Sequence, residues 1–453
     1  MVELVRLPCV LTIAGSDSGG GAGVQADLKT LAALGVHGMA AITAITAQNT
    51  LGLRRIEAVA PEMVREQIEA VASDIGVDAG KTGMLYTSGI VEVVAEEVER
   101  HRFPLVVDPV MRAKDGSRLL EPEAEETLIE RLLPLAAVVT PNAQEAEALS
   151  GIKVETLEDG RRAAERIMAL GPEAVVVKGG HIEAGGRAID LLLHRGELTL
   201  LEAERIDAKT THGTGCSFSA AIAAELAKGR TIPEAVETAK SLVTLAIRYG
   251  IEIGHGYGPI NPLAPLYNEA ERYSVLRSVA EAVRLLEAHP ETAELTPEVQ
   301  INLGMALPHA VDPSDVAAIR GRIVKMDGGV KASGCPEFGA SRHVARVIFT
   351  AMRYDPERRA AMNIRYSEET LRICRELGLS VSFYDRREEP PEIKGREGMS
   401  TIWGVEQAVR RFGGLPDVIY HLGDVGKEPM ILLLGRTAVE VAERAIEIAG
   451  RLA

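Results

Sequence analysis

Short unbroken apolar runs alternate with amphipathic stretches from residue 8 to about residue 250. The runs at 10–14, 40–45, 105–107, 137–140 and 174–177 are built of small or β-branched residues. Runs of this length without polar alternation predict strands buried on both faces. Between them, residues 61–72, 88–99, 157–170 and 232–247 repeat their apolar positions at helical spacing. Strand–helix alternation predicts βαβ units and a mostly parallel sheet. Residues 254–265 hold three glycines and three prolines and predict a loop or linker. Beyond it, Val275, Leu276, Val279, Val283 and Leu286 mark one face of a helix that His289-Pro290 ends. A second α/β-looking stretch follows. Helices are predicted at 341–352, 367–377, 401–412 and 437–448, and strands at 381–384, 418–420 and 430–434. Two domains, 1–265 and 270–453, are the simplest division.

Composition narrows the function classes. At about 100–200 residues per domain, the 453 residues allow two to four domains, each able to bury a core. Asp plus Glu total 65 against 50 Lys plus Arg, a net charge of −15. An acidic chain lacks the basic footprint of a DNA-coating protein. With aromatics at 4%, it also lacks a stacking platform for single strands. No nucleic-acid partner is therefore expected. Cys9, Cys216, Cys335 and Cys374 form no CxxC, which argues against a disulfide scaffold or a structural zinc. Residues 1–8 show no signal-peptide apolar core, and no apolar run reaches the roughly 18 residues a membrane span needs. A cytoplasmic location without a membrane partner is the expectation.

Three groups of residues carry chemistry in the first half. Gly15-Ser16-Asp17-Ser18-Gly19-Gly20-Gly21-Ala22-Gly23 follows a strand and leads into a helix near 24–34. Its spacing fits neither a dinucleotide turn nor a P-loop, so by spacing alone a plain glycine turn is favoured. Thr211-His212-Gly213-Thr214-Gly215-Cys216 precedes a small-residue helix at 217–228. Glycine amides at a helix N-terminus make a ready anion site, suited to a phosphoryl group in transit. A thiol there is expected to have a lowered pKa. The third group comprises strand-end residues: Asp108 after one strand, Asn142 with Glu145 after the next, and Lys178 after a third. In open parallel sheets ligands bind at those ends. A carboxylate for Mg²⁺, an Asn/Glu pair for its water shell and a lysine for phosphates form a phosphotransfer set.

The stretch 11–27, with Gln48 in Thr46-Ala47-Gln48-Asn49-Thr50, Asp108-Pro109-Val110-Met111 and His212-Gly213-Thr214-Gly215-Cys216, resembles hydroxymethylpyrimidine phosphate kinase over about residues 8–260. That family belongs to the ribokinase-like kinases of thiamine biosynthesis. The resemblance implies a three-layer αβα kinase domain, with a mostly parallel central sheet, followed by a second, smaller α/β domain. It implies that Gly15, Asp27, Gln48 and Met84 line a pyrimidine pocket. Lys114 would approach the phosphate of the first product. Asp108 would support Mg²⁺. Asn142, Glu145, Lys178 and Lys240 would serve ATP. Gly213, Thr214, Gly215 and the backbone of Cys216 would form the anion hole, with Cys216 as base or orienting group. The implied substrates are hydroxymethylpyrimidine and its monophosphate.

In the second half, Gly334–Gly339 leads into a helix near Ser341, a plausible N-cap. Arg342, His343 and Arg346 then oppose the helix dipole, a conflict that a bound diphosphate would resolve. The charged run at 385–391 reads as a surface loop. Asp424 and Glu428 are candidates for a metal–diphosphate. Asn302-Leu303-Gly304, Gly321-Arg322-Ile323-Val324, 338–346, 362–367 and 424–430 resemble the thiamine-phosphate synthase domain found behind such kinases, over about 270–453. The resemblance implies catalysis by Arg322, with Arg320 the alternative, and by His343. The implied reaction condenses the pyrimidine diphosphate with hydroxyethylthiazole phosphate. Two alternatives stand: a C-terminal domain that senses thiamine phosphate, and a kinase that also takes pyridoxal. A homo-oligomer is expected.

Overall fold

The computed structural model describes residues 6–180, 185–394, 396, 398–424 and 426–452. Residues 1–5 of the N-terminal stretch 1–8 and Val425 of the 424–430 motif lie outside the described residues. The chain forms two compact units, Met1–Pro265 and Leu266–Ala453.

In the first unit nine strands form one sheet in the spatial order Gly52–Ala58, His37–Asn49, Cys9–Asp17, Ala79–Thr82, Leu105–Val107, Ala136–Val139, Ala174–Val177, Arg187–His194 and Glu197–Glu204. The strands from His37–Asn49 to Ala174–Val177 run parallel. Antiparallel strands finish both edges. Alternate residues of each short strand face opposite layers. Val106, Val138 and Val176 pack with Leu31, Phe218 and Leu242 on one side. Val107, Val139 and Val177 pack with Ile68, Ile90 and Ile167 on the other. Runs apolar throughout are what a sheet covered on both faces requires. The unit is therefore a three-layer αβα sandwich.

Two sequence readings need correction here. The strand Ala79–Thr82 was not predicted, because Gly80 and Lys81 interrupt its apolar pattern; all four of its residues are nonetheless buried. The helix expected from Val275 starts earlier, as Ala264–Ala288, so the Gly/Pro-rich stretch is loop only up to its first residue.

The second unit has a seven-stranded sheet ordered Pro336–Phe338, Val316–Ile319, Leu303–Ala306, Ala360–Arg365, Met430–Gly435, Val418–His421 and Val381–Phe383. Among the described residues only the last two strands pair in parallel; the other pairs are antiparallel. The helices Arg342–Met352 and Met399–Phe412 pack against each other and on this sheet, as do Glu368–Glu376 and Ala438–Leu452. Among the described residues no helix is long and apolar enough to cross a membrane.

Candidate functional sites

In the first unit the parallel strands end around a cavity of about 230 Å³. The strand Cys9–Asp17 delivers Asp17 there. Its carboxylate accepts backbone N–H groups from Gly19 (2.8 Å), Gly21 (3.1 Å) and Ala22 (2.8 Å), and Nε2 of His212 at 3.0 Å. Burial works to raise the Asp17 carboxyl, but His212 and the amides outweigh it and hold it below the ordinary carboxylate value. The two glycine motifs meet backbone to backbone. Gly213 has φ 84°, and a Cβ there would lie 1.9 Å from the Gly21 carbonyl oxygen. Only glycine fits this contact. Gly213 caps the helix Thr214–Ala227, and the Gly23 N–H donates to the Cys216 thiol.

Asp108 sits just beyond Leu105–Val107 and is 2% exposed. It accepts hydrogen bonds from Lys178 Nζ (2.9 Å) and Thr140 Oγ1 (3.1 Å). A Cβ on Gly215 would lie 3.3 Å from Lys178 Nζ and 3.4 Å from Asp108 Oδ2, so the start of the helix abuts this ion pair. Asn142 and Glu145 form a reciprocal capping box on Ala143–Ser150, at 3.0 and 2.8 Å. Burial pushes the Glu145 carboxyl up to about 7; Lys178 opposes this and Asp108 adds to it. Burial also works against the Lys178 ammonium, but Asp108 and Glu145 raise it above the ordinary lysine value. Asp108 holds the ammonium directly and the Glu145 carboxyl lies within electrostatic reach of both, an excess of carboxylate that fits Mg²⁺.

Gly15, Gln48, Met84, Lys114, Asp108, Asn142, Glu145, Lys178, Gly213, Thr214, Gly215 and Cys216 all line the cavity. Two expected residues do not. Asp27 is fully buried, bonded to Thr12 Oγ1 (2.6 Å) and ion-paired with Lys81 (2.9 Å). Lys240 is engaged by Asp190 at 2.8 Å. The expected lowering of the Cys216 thiol is also overturned. Burial pushes it up to about 11; Lys81 pulls the other way, while Asp27 and Asp108 add to the rise. Lys114 is hydrogen-bonded to Thr211 Oγ1 and lies 5.2 Å above the Tyr257 ring. The residue as a whole is exposed, yet loss of hydration around the ammonium pushes it down to about 8. Lys81 carries no signal of its own in the sequence, where Asp17 and His212 stand out only as members of the two glycine motifs.

In the second unit His343 lies in the first turn of Arg342–Met352, whose cap Ser341 accepts the Val344 N–H at 3.4 Å. Burial, then the charges of Arg322, Arg346, Arg386 and Lys427, push its imidazole down to about 4. Its Nδ1 is 3.3 Å from Thr401 Oγ1. Arg322 has a left-handed φ of 77° and donates to the Val299 carbonyl at 2.7 Å. Arg320 instead points to Glu337 at 3.6 Å, with both side chains exposed.

The loop at 385–391 is not merely surface. The Arg386 side chain is 16% exposed, donates to Tyr384 Oη and bears on both His343 and His421. Asp424 and Glu428 already have partners. Asp424 pairs with Lys394 at 3.0 Å, and Glu428 accepts the N–H groups of Glu298 and Val299 at 2.9 and 3.0 Å.

A parallel αβα sandwich with glycine amides beside a carboxylate–lysine pair, closing on a small cavity, defines a kinase of small molecules. The chain belongs to the phosphomethylpyrimidine kinase family, whose model matches residues 17–261. Residues 278–447 match the family "Thiamine-phosphate synthase ThiN", so the chain is a fusion of the two. The hydroxymethylpyrimidine/phosphomethylpyrimidine kinase of Streptomyces coelicolor is 50% identical over 257 residues, 57% of this chain and 95% of that protein. The thiamine biosynthesis bifunctional protein ThiED of Geobacter sulfurreducens is 49% identical over 56% of this chain and 51% of its own length. Among solved structures, an ADP complex of Bacillus subtilis pyridoxal kinase is similar at 42% identity and a TM-score of 0.54, over 56% of this chain and 97% of that one.

Proposed function

We propose that residues 1–265 use ATP to phosphorylate 4-amino-5-hydroxymethyl-2-methylpyrimidine and then its monophosphate. Residues 270–453 join the resulting diphosphate to hydroxyethylthiazole phosphate, giving thiamine phosphate and diphosphate. The observation that carries this reading is the pairing itself: one chain holds a family that makes the pyrimidine diphosphate and a family that consumes it.

In the kinase, Gly15, Gln48 and Met84 hold the pyrimidine, and Lys114 meets the phosphate of the monophosphate. The amides of Gly213–Cys216 and the Lys178 ammonium take up charge from the transferred phosphoryl group. Mg²⁺ would be held by Asp108 with Asn142 and Glu145 beside it; when bound, it neutralises charge on the nucleotide phosphates. Cys216 either accepts the hydroxyl proton, through its minor thiolate form, or orients the hydroxyl as the new O–P bond forms and ADP departs. Because burial holds most of the thiol protonated, the orienting role belongs to its major form. In the synthase, Arg322 neutralises the leaving diphosphate. His343, uncharged at neutral pH, acts through an N–H hydrogen bond rather than as an imidazolium acid. A cytoplasmic location and self-association belong to the same proposal, tested by fractionation and sedimentation.

The test is mass spectrometry of one reaction containing the whole protein, ATP, Mg²⁺, hydroxymethylpyrimidine and thiazole phosphate. Thiamine phosphate appears, and it vanishes when ATP is withheld. If supplied pyrimidine diphosphate and thiazole phosphate give no product while thiamine phosphate binds, the second unit is a sensor and the synthase reading falls.

A further inference from the structure

We propose that Glu69, Glu97 and His101 form a binding site for a divalent transition-metal ion, Zn²⁺ by its donor set, between the helices Pro61–Asp74 and Ser88–His101. None of the three lines the kinase cavity. The site therefore goes beyond the pyrimidine and thiazole chemistry and does not depend on it.

Helical spacing builds the site. Glu97 and His101 stand at i and i+4 on Ser88–His101 and share one face of that helix. Glu69 comes from Pro61–Asp74, which packs alongside. One ligand atom from each residue lies within 4.8 Å of the other two. His101 Nε2 is 3.0 Å from Glu69 Oε2 and 3.3 Å from Glu97 Oε2. Around a tetrahedral Zn²⁺ with bonds of about 2.0–2.2 Å, neighbouring ligand atoms stand about 3.3–3.6 Å apart. The imidazole and the two carboxylates thus need only small shifts to share one ion.

The second observation is a buried carboxylate oxygen that no donor satisfies. The Glu97 side chain is 2% exposed. Its Oε1 accepts from Arg65 at 2.9 Å, but its Oε2 has no hydrogen-bond partner among the described residues. The imidazole cannot serve both carboxylates, because Nε2 carries at most one hydrogen and Glu69 Oε2 is the nearer acceptor. Arg100 lies 3.8 Å from Glu97 Oε2, beyond hydrogen-bonding reach, and is mostly exposed and paired with Glu69. An anionic oxygen buried without a donor is costly and calls for a cation. A metal ion in place of the Nε2 proton, with the ring hydrogen on Nδ1, would draw on all three lone pairs at once.

Charge and ligand type select the ion. Glu69, Glu96 and Glu97 face Arg65 and Arg100, so with neutral His101 the cluster keeps one net negative charge. One imidazole nitrogen with two carboxylates suits Zn²⁺, whereas Mg²⁺ prefers an octahedral set of oxygens. Glu69 and His101 are partly exposed, which gives the ion a path in and leaves a fourth position for water. A bound ion would clamp the two helices together.

The experiment is calorimetric titration of the full chain with Zn²⁺, with Mg²⁺ in excess to compete for the kinase cavity. The wild type takes up one Zn²⁺ per chain. His101→Gln and Glu97→Gln each weaken it at least about tenfold, since even a group that only orients a metal ligand is worth 10- to 100-fold. Zn²⁺ also raises the melting temperature of the wild type and not of the variants. Both variants phosphorylate the pyrimidine alcohol as the wild type does. If Glu97→Gln melts low without metal, His101→Gln, whose ring is partly exposed, decides alone. Co²⁺ in place of Zn²⁺ gives a visible absorption band that His101→Gln abolishes. A wild type that binds no Zn²⁺ under these conditions, or a His101→Gln variant that binds it as tightly, overturns the site.

Discussion

Asp17 Oδ2 and His212 Nε2 lie 3.0 Å apart although 195 positions separate them in sequence. This contact ties the first glycine loop to the second. It also sets His212 3.5 Å from Gln48 Nε2, and both residues line the cavity. His212→Ala leaves a buried carboxylate short of a donor and frees the two loops from each other. The expected loss in kcat/KM for the pyrimidine alcohol is about 10- to 100-fold, the scale of one charge-assisted bond and of loop misplacement. Steady-state kinetics of the phosphorylation step measures it. Because the Asp17 carboxyl is depressed when folded, its stabilisation is present above its ordinary value of 3.8 and is lost as pH falls through its lower folded value.

Cys216 is the second test. With the thiol near 11, only a small fraction is thiolate at neutral pH. If the thiolate accepts the hydroxyl proton, kcat climbs with pH between about 6 and 9, and Cys216→Ala both flattens the profile and lowers kcat by roughly 10²–10⁴-fold. The condensation of supplied diphosphate is spared. A wild-type profile that is already flat would leave Cys216 an orienting group only, and equal loss of both reactions would overturn the two-site scheme.

Lys81 and Asp27 form an ion pair in which both side chains are 0% exposed. Removing one partner strands the other's charge in the core. Lys81→Met is expected to destabilise the protein by about 3–5 kcal/mol, read by denaturant unfolding followed with a probe in the first unit. The double variant Lys81→Met with Asp27→Leu leaves no stranded charge and recovers a large part of that loss. If both variants unfold alike, the pair contributes little beyond side-chain volume.

The parallel sandwich was legible because its strands are apolar throughout, as burial on both faces demands. The positions of Asp108 and Lys178 at the cavity were legible because each follows an apolar run and so falls at the carboxyl end of a parallel strand. What stayed hidden depends on long-range contact. Lys81 interrupts an apolar run and reads as a break, since its counter-ion is 54 positions away. Asp27 was placed in the pocket by resemblance, yet that same buried lysine holds it. Local rules set the thiol low at a helix start, but the surrounding protein sets it high. Arg386 sits in a run of charges that reads as surface, and only the fold buries most of its side chain.

His343 and His421 give the last test. Burial first, then neighbouring cations, push each imidazole from 6.5 down to about 4. Their folded values are depressed, so the unfolded chain binds more protons between about pH 4 and 6.5. Stability of the second unit is therefore complete above about 6.5 and declines as pH falls toward 4. The condensation is expected to lose no His343-dependent activity between pH 6 and 8, because the ring is neutral across that range. An imidazolium acid with an ordinary value would instead produce a fall in rate above about pH 6.5. Rates with supplied pyrimidine diphosphate, for wild type and His343→Gln, distinguish the two. A fall above pH 6.5 that disappears in His343→Gln would show a charged histidine as proton donor and would overturn the hydrogen-bonding role assigned to it.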